Sequence, residues 1–176
     1  MKTILKILGV IILLIVVYAV IAMLAFSKDY HYEKSIVINA PQEKVWQHVG
    51  STRAFNVWNP FAKADKNIQI TYLGTSGEVG DSYHWKGNDQ VGQGEQTITA
   101  IVPNERLTGK LHFIKPYESE ATLGFMLTPE GNGTKVTWSM DSELNTMMKV
   151  MKPMMDSQMG KMFGQGLEDL KKIAEQ

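Results

Sequence analysis

The residue types that most often carry chemistry are sparse in this sequence. There is no cysteine, which excludes thiol nucleophiles, thiolate metal sites and a disulfide scaffold. The four histidines are scattered, and no two of them have the short spacing of a metal site on one helix. They are His31, His48, His84 and His112. The sequence therefore predicts no metal centre and no cofactor.

Carboxylates are the other group that could act as an acid or a base. A cyclase or dehydrase needs such a group inside an apolar pocket, where burial raises its pKa toward the working range. The candidates are Glu95, Glu118, Glu120, Asp141 and Glu143. Strand alternation places Glu95, Glu120 and Asp141 on outward positions, beside inward-facing neighbours. No catalytic set is assembled, so the sequence argues against an enzyme without excluding one.

Apolar and aromatic residues at inward positions are more informative. Seven of the eleven methionines lie between Met147 and Met162, and methionine recurs on surfaces that accept varied apolar partners. The same pattern is typical of a filled hydrophobic core, and both interpretations stay open. The predicted ligand-contacting residues are Tyr83, Trp85, Phe113, Phe125, Trp138, Met155, Met159 and Phe163.

Two further features leave alternatives open. Trp58 and Phe61 follow two short predicted helices, where they either border the opening of a pocket or, for Trp58, cap the core. Gly160, Gly164 and Gly166 lie inside a predicted helix, where each glycine costs about 1 kcal/mol relative to alanine. They either let the helix approach a sheet closely or leave room for a ligand.

The elements that would position these residues follow from periodicity. Alternation from Tyr32 predicts a strand, and Pro41 then opens the first of two short helices. Six more alternating runs, separated by turn sequences, predict an antiparallel sheet with one buried face. From about Pro153, apolar residues recur every three to four positions, which predicts a long amphipathic helix. The order is typical of an α+β domain.

The amino-terminal stretch from Ile7 to Phe26 predicts a membrane-spanning helix. It is uncharged, almost wholly aliphatic, and long enough at about 1.5 Å per residue to cross roughly 30 Å of hydrocarbon. A cleaved signal peptide normally has a shorter apolar region, and a buried core helix would have a polar face. Lys2 and Lys6 precede the span, which slightly favours a domain on the non-cytoplasmic side of a single-pass protein.

The remaining residues form one domain of ordinary size. We therefore divide the chain into an anchor, residues 1–28, and a soluble domain, residues 29–176. The 18 basic and 18 acidic residues balance and form no long run of either sign, which excludes the concentrated basic surface of nucleic-acid binding. Neither the protein partners nor the oligomeric state follows from the sequence.

From about Tyr32 to Glu175 the sequence resembles the SRPBCC or START-like superfamily, in its polyketide cyclase/dehydrase and lipid-transport branch. The resemblance rests on the order of the segments 36–41, 45–46, 58–60, 83–88, 91–94, 133–138 and 166–171. It implies a helix-grip fold, in which a curved seven-stranded antiparallel sheet surrounds a long carboxy-terminal helix with a pocket between them. Members bind lipids and other apolar molecules, and a minority catalyse.

These features predict a membrane-anchored module that binds an apolar small molecule, lipid or polyketide-like, inside a helix-grip fold. Two alternatives stay open. One is a polyketide cyclase or dehydrase, which requires an ionisable side chain in the pocket. The other is an accessory protein with a closed core at a membrane complex.

Overall fold

The computed structural model describes residues 2–176, and it contains a single sheet and five helices within that range. The elements in chain order are α1 (Lys2–Ala25), β1 (Asp29–Ile38), α2 (Gln42–Val49), α3 (Thr52–Trp58), α4 (Pro60–Lys63), β2 (Gln69–Leu73), β3 (Ser82–Lys86), β4 (Gln93–Val102), β5 (Arg106–Lys115), β6 (Ser119–Glu130), β7 (Gly133–Glu143) and α5 (Thr146–Ala174).

The seven strands form one antiparallel sheet in the order β1-β7-β6-β5-β4-β3-β2. Consecutive strands from β2 to β7 are neighbours joined by short connections, and β1 closes the far edge by pairing with β7. Tyr32 lies opposite Met140, and Ile36 lies opposite Val136. Because directly opposed residues share a face of an antiparallel pair, Tyr32 and Ile36 lie on the same face as Met140 and Val136, and the strand predicted from Tyr32 is confirmed.

The helices between β1 and β2 are set by local capping. The Ser51 side chain accepts a hydrogen bond from the Ala54 N–H at 3.2 Å and starts α3. The Asn59 side chain accepts one from the Phe61 N–H at 3.1 Å, and Pro60 occupies the first position of α4. The sequence predicted two helices here and placed this segment in a loop, so the third short helix is a correction.

The long helix α5 begins earlier than its periodicity predicted. Its first turn is capped by the Asn145 side chain, which accepts a hydrogen bond from the Met148 N–H at 2.9 Å. Pro153, the predicted start, lies inside the helix at an exposed position. A proline there removes one backbone donor, and the exposed position leaves its ring in solvent rather than in the packed interface.

α5 lies along the inner side of β1 and runs in the same direction. The Lys34 ammonium donates to the Gly160 carbonyl at 3.1 Å, and that of Lys171 donates to the Val37 carbonyl at 2.9 Å. Farther along, the Asn39 N–H donates to the Glu175 carboxylate at 2.7 Å. The result is the predicted α+β helix-grip architecture, with the core between α5, the small helices and the sheet.

The outer face of the sheet carries the carboxylates that alternation had placed there, together with three histidines. Glu95 lies between His84 and His112, at 3.2 and 3.5 Å from their ring nitrogens. His31 lies 2.6 Å from Asp141, the residue opposite it on β7. These outward positions agree with the prediction, and none of these groups faces the core.

Candidate functional site

A cluster of five aromatic side chains fills the interior beneath the carboxy-terminal half of α5. We call it the central cluster, and its members are Phe55, Trp58, Phe125, Trp138 and Phe163. The Trp138 and Phe163 rings stack with centroids 3.9 Å apart. Trp58 meets Trp138 edge to face at 5.4 Å and donates its indole N–H to the His48 carbonyl at 2.8 Å. Such mutually packed rings leave this part of the interior closed.

The central cluster changes the interpretation of two predicted site residues. Trp58 is 0% exposed and belongs to the core, so it does not border an opening. Phe61 is half-buried, and its ring lies edge-on to Trp138 at 6.2 Å. Phe55 was missed, although its spacing of three from Trp58 places both rings on one face of a short helix. The burial of Trp58 agrees with the core-capping alternative.

A second group of rings lies at the β2–β5 end of the inner face. We call it the aromatic strip, and it consists of Tyr72, Tyr83, Trp85 and Phe113. Successive centroids along it are 6.2, 5.7 and 5.8 Å apart. Tyr72 and Phe113 are only half-buried although they face inward, because α5 packs on β1 and on the small helices. The strip is thus half-buried at both ends, and the Arg53 guanidinium lies 4.3 Å from the centre of the Tyr72 ring at one of them.

Polar groups lie beside the aromatic strip inside the domain. The Tyr83 hydroxyl donates to the Gln96 side-chain carbonyl at 3.3 Å, and both side chains are buried. The Asn59 amide donates to the Asn56 side-chain carbonyl at 2.9 Å. The side chains of Asn56 and Asn59 both lie within hydrogen-bonding reach of the Tyr83 hydroxyl, so Tyr83, Gln96, Asn56 and Asn59 form one polar cluster. The sequence alone did not identify this cluster.

The chemistry of the polar cluster follows from the state of Tyr83. Burial raises the pKa of its phenol well above the usual value, with a smaller contribution from nearby Tyr72. The hydroxyl therefore stays protonated at neutral pH. Its single hydrogen is donated to Gln96, and the protonated phenol is not suited to act as a base.

Space is available next to the polar cluster at Gly109, a buried position on the inward row of β5. A Cβ atom placed there would come no closer than 3.8 Å to a side chain, that of Gln96. Its closest contact would be the Thr97 carbonyl at 3.2 Å. A small side chain would therefore enter the interior with only a slight shift of the backbone.

The predicted methionines lie at the margin of the core. Met159 is half-buried and packs against it, and Met155 is half-buried on the preceding turn of α5. Tyr83 and Trp85 belong to the aromatic strip, whereas Phe125, Trp138 and Phe163 belong to the central cluster. Of the eight predicted ligand-contacting residues, Phe113, Met155 and Met159 are half-buried and the other five are buried.

The buried carboxylates act as structural acceptors. Asp81 accepts hydrogen bonds from the Thr52 N–H at 3.0 Å, the Thr52 hydroxyl at 2.6 Å and the Gly77 N–H at 2.9 Å. Asp65 accepts from the N–H groups of Asn67 and Asn88. Among residues 2–176, no group of three or more histidines and carboxylates is arranged to hold a metal ion.

The helix α1 contains the predicted span from Ile7 to Phe26 except for its last residue. It is long and apolar enough to cross a membrane, a property that signal sequences share. Its last turns pack on the first turns of α5, where the Tyr18 hydroxyl donates to the Val150 carbonyl at 2.8 Å. Ala22 is 1% exposed at this contact, whereas the aliphatic side chains of the rest of α1 are exposed.

Known structures share this fold at low sequence identity. Protein CV1439 from Chromobacterium violaceum aligns with a TM-score of 0.61 and 15% identity, over 83% of this chain and 97% of its own. Mll3558 protein from Rhizobium loti aligns with a TM-score of 0.60 and 15% identity, over 82% of this chain and 96% of its own. The Aha1 dimer from Colwellia psychrerythraea aligns with a TM-score of 0.55 and 19% identity, over 83% of this chain and 96% of its own.

No curated protein matches the sequence. A family model, described as polyketide cyclase / dehydrase and lipid transport, matches residues 30–175. That range contains the whole sheet except for the first residue of β1, and all the helices except α1. The chain therefore belongs to the polyketide cyclase / dehydrase and lipid transport family, whose fold binds hydrophobic ligands.

Proposed function

We propose that this protein is a membrane-anchored binding module for an apolar small molecule that carries one polar group. The aromatic strip and the adjoining polar cluster form the binding site, and a lipid or a polyketide-like compound is the ligand class. The observation that carries the proposal is the polar cluster of Tyr83, Gln96, Asn56 and Asn59, which lies beside an aromatic strip whose ends are half-buried. An apolar ligand would pack on the rings while its polar group forms a hydrogen bond with this cluster.

Membrane anchoring by α1 is part of the proposal, with residues 29–176 on the non-cytoplasmic side. An exposed aliphatic surface of this extent is costly in water and is typical of a helix in lipid. A tether next to a pool of apolar molecules would raise the local concentration of a lipid ligand. Membrane fractionation with a carbonate wash and labelling of introduced cysteines on either side of the membrane test the attachment and its direction.

Ligand binding is tested by displacement of a fluorescent fatty acid from the full chain in detergent micelles. The competitors are a long-chain fatty acid, a lysophospholipid and an aromatic polyketide, so the result also separates the ligand classes. Gly109→Val should weaken binding at least severalfold, since its side chain enters the interior beside Gln96. Thr108→Val, on the outer face of the same strand, is the matched control and should bind normally.

The polar cluster is tested separately by Asn56→Ala and Tyr83→Phe. Both variants should weaken binding of a ligand that has a carbonyl or hydroxyl group, because one hydrogen bond is lost. The matched control is Tyr117→Phe, at an exposed residue in the loop before β6. If no competitor displaces the probe and Gly109→Val changes nothing, the binding proposal fails.

The central cluster supports one alternative, a closed-core accessory at a membrane complex. Packing around Trp138 leaves the larger part of the interior filled. Absence of small-molecule binding together with one dominant protein partner in proximity labelling would favour this alternative. A cyclase would need an ionisable side chain at the site, and the raised pKa of Tyr83 allows it to act there only as a proton or hydrogen-bond donor.

A further inference from the structure

The first turns of α5 carry an exposed row of methionines, which we call the methionine row. Met147, Met151 and Met154 are 69%, 40% and 58% exposed. Their spacing of four and three residues places them on one face of the helix. The same spacing continues through the exposed residues Gln158, Lys161, Gln165 and Glu168. The outward face of one helix thus changes from apolar to polar at Gln158.

The methionine row lies where α5 extends past the sheet toward α1. Contacts along β1 show that α5 runs in the direction of that strand, from Lys34–Gly160 to Asn39–Glu175. The turns before Gly160 therefore extend toward and beyond the first residues of β1. There the Val150 carbonyl accepts from the Tyr18 hydroxyl, and the Lys152 ammonium lies 5.8 Å from the centre of the Phe26 ring.

The length of α1 fixes the depth of this contact in a bilayer. If the hydrocarbon ended before Tyr18, residues 2–17 would have to cross it, which is a length of about 24 Å that includes Lys2 and Lys6. The hydrocarbon core is about 30 Å thick. If instead the uncharged run from Ile7 to Phe26 crosses it, Tyr18 lies about 12 Å inside the apolar boundary. Because the first length falls short of the hydrocarbon thickness, a spanning α1 places the Tyr18–Val150 contact at or below the membrane surface.

We infer that the methionine row is a second membrane contact, which inserts into the lipid interface beside α1. Its occupant is a lipid bilayer, and the inference rests on the proposed anchoring by α1. Methionine side chains gain from leaving water, and their flexibility suits a disordered acyl environment. Lys149 lies in the same turns and can extend its ammonium toward headgroups while its stem stays in apolar surroundings.

Two contacts with one bilayer would restrict how the domain swings on its tether. A single span alone leaves the segment 26–28 as a pivot. With the methionine row inserted, α5 and therefore the whole sheet keep one orientation to the membrane, and the interior keeps a constant distance from lipid.

The absence of cysteine from the sequence allows a direct test. Single substitutions Met147→Cys, Met151→Cys and Met154→Cys are labelled with the environment-sensitive fluorophore NBD. Gln158→Cys and Gln165→Cys, on the same helix face, are the matched controls, and Ile12→Cys reports on the span. The full chain is reconstituted into vesicles of phosphatidylcholine and phosphatidylglycerol, with and without lipids that carry a doxyl quencher.

The expected result is blue-shifted emission and strong quenching at positions 147, 151 and 154, severalfold stronger than at positions 158 and 165. Strong quenching at position 12 together with water-like emission at all three methionine positions overturns the inference and leaves the anchor intact. Water-like emission at position 12 overturns the anchor, and the inference with it. Circular dichroism of each labelled chain confirms that it is folded.

Discussion

The Phe163 ring on α5 lies flat on the Trp138 indole on β7, with an interplanar angle of 9°. This contact joins the long helix to β7, the strand next to the β1 edge of the sheet. Both side chains are about 1% exposed. The position of α5, and with it the division of the interior into a closed and an accessible part, depends on this stack.

Replacing Phe163 should strongly destabilise the domain. Phe163→Ala removes a buried ring and leaves a cavity beside Trp138, so we expect a loss of about 3 to 5 kcal/mol in the free energy of unfolding. Thermal unfolding of the full chain in detergent micelles, followed by circular dichroism, measures this. Met126→Ala, at an exposed position on the outer face of β6, is the control and should change little. Equal effects of the two substitutions would contradict the proposed role of the stack.

Two glycines of α5 should respond to alanine in opposite ways. At Gly166 a Cβ would meet Trp138 at 2.8 Å and Pro60 at 2.9 Å, both in rigid rings. At Gly164 it would meet only the mobile end of Lys34, at 2.7 Å. Alanine gains about 1 kcal/mol in helix propensity at either position, whereas overpacking costs about 1 to 3 kcal/mol.

We therefore expect Gly164→Ala to raise the melting temperature and Gly166→Ala to lower it. The two variants serve as controls for each other, since they differ in neighbours and not in chemistry. A stabilised Gly166→Ala protein would show that α5 does not approach Pro60 as closely as described. The glycines of α5 either let the helix approach its neighbours closely or leave room for a ligand. A lower melting temperature for Gly166→Ala favours close approach.

Asp81 should be essential for the arrangement of α3. Asp81→Ala leaves the buried Thr52 N–H and hydroxyl without their acceptor, which costs about 1 to 3 kcal/mol for each group. Asp81→Asn keeps the shape of the side chain and one acceptor oxygen, so its free energy of unfolding should fall by less than that of Asp81→Ala. Chemical denaturation of the full chain ranks the stabilities of these variants, with Asp89→Ala, at an exposed residue, as the reference. A loss for Asp89→Ala as large as that for Asp81→Ala would argue against this role.

His31 and His48 should have pKa values on opposite sides of the usual 6.5. The hydrogen bond to Asp141 raises the pKa of His31, and burial together with Lys44 lowers that of His48. A raised pKa in the folded state means that His31 stabilises the fold fully below pH 6.5. This contribution is lost as the pH rises through the folded-state pKa. NMR titration of the ring protons measures both values.

Asp141→Asn is the matched variant for the titration. It should return the pKa of His31 toward 6.5 and leave that of His48 unchanged, because the two residues lie on different elements. A His31 pKa that does not respond to this substitution would show that the outer-face pair does not persist in solution.

Much of the fold followed from local patterns. Alternation predicted the inward row of β1 and the outward positions of Glu95, Glu120 and Asp141, since successive strand residues point to opposite faces whatever their partners. The uncharged run from Ile7 to Phe26 likewise predicts a long apolar helix without reference to the rest of the chain. The short α4 was missed because its start depends on a cap formed by a single Asn59 side chain, a signal weaker than periodicity.

The sequence by itself determined the order of elements, the apolar helix and the set of inward aromatic residues. Only the tertiary structure decided which of those residues fill the core and which border accessible space. An inward position looks the same in the sequence whether α5 covers it, as at Trp138, or not, as at Phe113. Coverage depends on how one helix crosses seven strands, which is set by contacts between residues distant in the chain, such as Trp138 with Phe163.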